Sequence, residues 1–92
     1  METGKSKIDR DLTQALDTLT DQEEIDVLLY PKERDEGLRE LLRSKQKGGV
    51  LEYNILEIAN CIVVRAPKKI ILELAVRNDV SRLAMNPKFT VQ

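Results

Sequence analysis

Apolar positions along the chain fall into short continuous runs and into helix-spaced stripes. Ile25–Tyr30, Val50–Leu56 and Asn60–Ala66 are short, rich in aliphatic and β-branched residues, and predict strands. Pro31 stops the first and Pro67 the third, because proline has no amide proton for a ladder. Leu38, Leu41 and Leu42 make one side of a helix over Asp35–Lys45. Ile70, Ile71, Leu74 and Ala75 make one side of another over Lys68–Arg77. Asp79–Ala84 predicts a fourth, short strand. Ahead of all of these, Leu12, Ala15, Leu16 and Leu19 share one side of a leading helix with Asp9 as its N-cap.

The residues between these elements set the order. Gly48-Gly49 ends the first main helix, since glycine takes the left-handed conformation a helix stop needs, and Asn78 is expected to do the same for the second. Asp35–Arg39, Glu36–Arg39 and Glu40–Arg43 are spaced for pairs on a solvated helix face. Glu57–Ala59 is too short for a crossover, so the strands it joins are antiparallel. Asn86-Pro87 is a turn signal at which the chain leaves the sheet. The order is therefore β-α-β-β-α-β, which predicts a ferredoxin-like α+β open-faced sandwich. Its antiparallel four-stranded sheet carries two helices on one face. This domain covers 25–84, after a polar N-terminus and leading helix over 1–24 and before a tail over 85–92.

That pattern leaves apolar residues over. Ile62, Val63 and Val64 are consecutive, so both sides of their strand are apolar, whereas a strand covered on one side alternates. With Ile25, Val27 and Leu29 turned to the helices, Leu28 and Tyr30 turn away together with Asp26. Placing Ile62 and Val64 beside them yields a contiguous apolar patch of the kind that marks a partner site, unless the leading helix lies over it.

Composition removes several functions. The 92 residues are enough for one domain, and 41% hydrophobic with 34% charged fits a soluble globular chain. The aromatic residues are Tyr30, Tyr53 and Phe89, so the core is aliphatic. A net charge of −1 gives no electrostatic basis for binding nucleic acid or an anionic membrane. With Tyr53 the one aromatic on the second and third strands, a base-stacking surface is not expected either. The chain lacks histidine and has one cysteine, which excludes an internal disulfide and the usual zinc and nucleophile–base arrangements. Cys61 reads as a small buried hydrophobe. The carboxylates Glu23, Glu24, Asp26, Glu52, Glu57 and Asp79 have no spacing that brings two into one pocket. Gly48-Gly49 follows a helix, so it makes no phosphate loop. Neither enzyme activity nor a metal or cofactor is expected. No run approaches the roughly twenty apolar residues of a membrane helix, and Met1–Lys7 leads into no signal sequence.

A family likeness runs from Lys7 to Gln92. Lys7-Ile8-Asp9 with Leu12 and Leu16, then Glu24–Leu29, then Asn60-Cys61-Ile62-Val63-Val64-Arg65-Ala66-Pro67 with Ile70 or Ile71 and Leu74-Ala75, then Asp79-Val80, Leu83 and Asn86-Pro87 carry it. Together they resemble the propeptides of subtilisin-like serine proteases and the small free-standing inhibitors that share their fold. The resemblance implies a domain that assists folding of its protease and inhibits it, in cis or in trans. In that family the open sheet face packs on two protease helices, and the C-terminal tail lies in the substrate cleft like a product. Carried over, the tail is Asn86, Pro87, Lys88, Phe89, Thr90, Val91 and Gln92, with Phe89 fourth from the cut if Gln92 precedes it. The face is Leu28, Tyr30, Ile62 and Val64, and Glu57 is placed to cap a protease helix. The chain ends at Gln92 without a protease domain, and Asn60 and Cys61 stand where the family commonly has glycine. The free domain is expected to be a monomer or weak homodimer. The alternative is a ferredoxin-like regulatory, ligand-binding or oligomerisation module using the same face.

Overall fold

Strand β1 (Glu24–Pro31) alternates along its length: Ile25, Val27 and Leu29 are buried, while Asp26, Leu28 and Tyr30 are half-buried on the other side. The structure is a computed structural model that describes residues 7–86. In it β1 lies inside a four-stranded sheet with β2 (Glu52–Leu56), β3 (Cys61–Pro67) and β4 (Val80–Met85). The order is β2-β3-β1-β4 and every neighbouring pair is antiparallel. Helix α1 (Arg10–Asp17) precedes the sheet, α2 (Glu36–Lys47) joins β1 to β2, and α3 (Lys68–Ala75) joins β3 to β4. This is the layout of a ferredoxin-like α+β fold.

The core forms where three helices meet one side of the sheet. Ile25, Val27 and Leu29 pair with Ala66, Val64 and Ile62, and residues paired across strands share a face. Over them lie Leu38 and Leu42 of α2, Ile70, Ile71, Leu74 and Ala75 of α3, and Leu12 and Leu16 of α1, all buried in one aliphatic cluster. The leading helix therefore joins the helix side and leaves the opposite sheet face open. The turn between α1 and β1 fixes this arrangement. Pro67 precedes α3 without a side-chain cap, and the free amides of Lys68 and Lys69 donate to the carbonyls of Glu23 and Asp21, at 2.9 and 3.1 Å.

Ile62 and Val64 are thus corrected. They are 1% and 0% exposed on the helix face, and the outward residues of β3 are Cys61, Val63 and Arg65. A strand with three consecutive branched residues carries no phase of its own, and a shift by one residue exchanges its faces.

The ends of elements show where local chemistry decided. Helix α2 closes in a Schellman motif: the Gly49 amide bonds Gln46 O and the Val50 amide bonds Lys45 O, with Gly49 at φ 76°. Val50 is consumed by this stop, so β2 begins at Glu52 rather than Val50. Helix α3 ends at Ala75, before Arg77, and Asn78 is not left-handed. The left-handed asparagine is Asn60 (φ 54°), in the turn before β3, where its amide bonds Glu57 O. Asparagine adopts this region more readily than most side chains, which accounts for its standing where glycine was expected. Strand β4 continues through Met85, which pairs with Val27 and packs on the core, one residue past Ala84. Of the surface pairs, Asp35–Arg39 and Glu40–Arg43 form.

Asp9 occupies the N-cap position of α1, yet its carboxylate bonds no helix amide. It accepts two hydrogen bonds from Arg82 of β4, at 2.9 and 2.6 Å. The Asp9 amide donates to Leu83 O, Ile8 makes a parallel bridge with Leu83, and Lys7 Nζ donates to Arg77 O. Residues 7–9 thereby strap part of the outer edge of β4. The outer edge of β2 pairs with no strand among the described residues.

Candidate functional site

Register builds the open face in three rungs across the strands. Glu52, Arg65 and Asp26 form the first, and Asn54, Val63, Leu28 and Ala84 the second. Leu56 opposite Cys61, with Tyr30 opposite Arg82, forms the third. Leu28, Asn54 and Val63 of the second rung and Tyr30, Leu56 and Cys61 of the third, with Ala59 and Asn86, line a shallow, mainly apolar concavity of about 450 Å³. Leu56 is 37% exposed at its rim, and Ile58 at the tip of the β2–β3 turn is fully exposed. Exposed apolar surface of this kind is unfavourable in water and favours a covering partner.

Leu28 and Tyr30 lie on this face as expected, and Glu57 is exposed in the turn beside Leu56. Ile62 and Val64 do not belong to it; Val63, Cys61, Leu56 and Ala59 take their place. One signal in the sequence was available for this. Arg65 is charged and has the parity of Val63 and Cys61, so turning Arg65 to solvent turns both of those outward as well. Asn86 ends the described chain at the concavity. Pro87, Lys88, Phe89, Thr90, Val91 and Gln92 lie outside the described residues.

Charge sits at the two ends of the face. Arg65 Nε is 3.4 Å from Asp26 Oδ1 and 3.7 Å from Glu24 Oε1. Asp26 Oδ1 is closed to solvent and accepts no hydrogen bond, so this contact is an ion pair without hydrogen-bond geometry. At the other end Arg82 bridges Tyr30 and Asp9, and its hydrogen bonds hold the Asp9 carboxyl below the ordinary aspartate value. Off this face, the guanidinium of Arg77 does the same for Asp79 through two bonds of 2.9 Å.

Among the described residues no three His, Cys, Asp or Glu side chains group to hold a metal ion. Cys61 is buried beneath the concavity. The arrangement is an open sheet face, apolar at its centre, charged at its ends and edged by Asn86, the residue after β4. No protein-family model, no curated protein and no solved structure matches the chain.

Proposed function

We propose that this chain is a non-catalytic domain that binds and inhibits a subtilisin-like serine protease, in cis or in trans. The open sheet face is the docking surface, and the segment from Asn86 to Gln92 enters the substrate cleft. The observation that carries the reading is the shared position of two features. The apolar concavity of Leu28, Leu56, Cys61 and Val63 also has Asn86 in its wall, so a chain leaving β4 starts at the edge of the docking surface. An extended tail starting there binds by backbone hydrogen bonds to a strand edge, with alternate side chains in pockets. In that role Phe89 fills the pocket four residues before the cut and Glu57 faces a protease helix N-terminus. The resemblance in sequence pattern supplies the protease class.

The test is inhibition of a purified subtilisin-type protease by the full chain and by a chain ending at Asn86. That end point keeps Met85 in its pairing with Val27. The full chain should inhibit at micromolar concentration, and the shortened chain should bind yet inhibit weakly. Phe89→Ala should weaken inhibition without altering the circular-dichroism spectrum, and Leu28→Asp should abolish binding. If the full chain leaves every protease tested at its uninhibited rate, the reading is wrong. The same face supports a second reading, a self-associating regulatory module. In that case sedimentation detects a dimer that Leu28→Asp dissociates and removal of 87–92 leaves intact.

A further inference from the structure

The open face is graded in charge along its strands. Its first rung and the neighbouring Glu24 place three carboxylates, Glu24, Asp26 and Glu52, around the single guanidinium of Arg65. Glu52 stands opposite Arg65 in the register and has no ion-pair partner among the described residues. Asp26 Oδ1, screened from water, has no hydrogen-bond donor. Asp26, Glu52, Arg65 and Val63 line a groove continuous with the apolar rungs. The Leu28–Val63 rung separates this acidic end from the apolar end at Leu56, Cys61 and Ala59.

From this gradient we infer that the protease surface covering the face carries a lysine or arginine opposite Glu52 and Asp26, and an apolar ridge opposite Leu56 and Val63. The inference rests on the protease-binding reading and adds the orientation of the complex. Covering the apolar rungs also removes water from the adjoining carboxylates. A carboxylate left dry without a donor is costly, and one guanidinium shared among three leaves an excess of two negative charges. A cation from the partner resolves that excess. Turning the domain end for end would set the carboxylates on the apolar ridge, so the charge fixes one of two otherwise similar dockings. A second copy of this chain set on the face with its strands running the same way brings the acidic rungs together.

The experiment measures inhibition constants of the full 92-residue chain against purified subtilisin-type proteases. Each is read at about 50 and about 500 mM salt, where screening is weak and strong. Glu52→Lys, Glu52→Gln and Glu24→Gln are compared with the unaltered chain; both positions are exposed in the free domain, away from the core. Glu52→Lys should weaken inhibition about tenfold at low salt and flatten its salt dependence, with the glutamine variants between. Inhibition by the unaltered chain that is indifferent to salt and to Glu52→Lys overturns the orientation and leaves the inhibitor reading standing. Absence of inhibition by the unaltered chain overturns both. Self-association in place of protease binding does so too.

Discussion

The guanidinium carbon of Arg82 lies 5.3 Å from the centre of the Tyr30 ring, and the same guanidinium holds Asp9 by two hydrogen bonds. One side chain of β4 thus connects the N-terminal strap to the open sheet face. Arg82→Ala should release residues 7–9 without disturbing the core. Hydrogen exchange is the direct measurement: the Asp9 amide, bonded to Leu83 O, should lose protection while β1 amides keep theirs. Equal protection in the two proteins would show that the strap holds without Arg82.

Two carboxyls give the fold an acid limb. Asp9 and Asp79 are held below the ordinary value of 3.8, first by hydrogen bonds from Arg82 and Arg77 and further by their charge. A folded-state pKa below the unfolded one means the fold favours the ionised form. The stabilisation is complete above the unfolded value and is lost as pH falls through the lower folded values. Urea midpoints should be level from neutrality to about pH 5 and fall below it. Asp79→Asn should remove part of that fall. Asp79 carries the larger share because its side chain is 16% exposed, against 36% for Asp9, where solvent screens the pair. An acid limb of the same depth in the variant would exclude Asp79 as its source.

Neighbouring residues of β3 should respond in opposite ways. Ile62 is 1% exposed among core side chains, so Ile62→Ala should destabilise by about 2–5 kcal/mol. Val63, half-buried on the open face, should cost less than about 1 kcal/mol as alanine, and under the proposed docking its loss should weaken inhibition instead. Chemical denaturation and inhibition assays on both variants separate the two roles. A larger stability loss at Val63 would contradict the strand's phase.

This pair also marks how far the sequence could be read. Strand and helix periodicity in Ile25–Tyr30, Leu38–Leu42 and Ile70–Ala75 led to the correct order of elements, because those side chains report burial directly. The Ile62-Val63-Val64 run reports burial on both sides, so its phase depends on Leu29 and Val27 across the sheet. Asp9 was readable as an N-cap from its place before α1. Its actual partner, Arg82, is 73 residues away and belongs to tertiary contact. The site's apolar character was legible and its membership was not: Leu56, Ala59 and Cys61 enter through the hairpin register.

The turn before β3 tests a backbone requirement. Asn60 at φ 54° should accept glycine with little change, whereas Asn60→Val should cost about 1–2 kcal/mol, since a branched side chain crowds the left-handed region. Thermal unfolding of the two variants measures the difference. Equal midpoints would mean that the turn relaxes to another conformation.

The strap along β4 has a consequence for assembly. A sheet with two bare edges can recruit copies at both sides and grow without limit. Here the backbone of Ile8 and Asp9 occupies part of one edge, while the outer edge of β2 pairs with no strand among the described residues. Edge-to-edge pairing of β2 with β2 uses the same edge of each molecule, so that route closes at two chains.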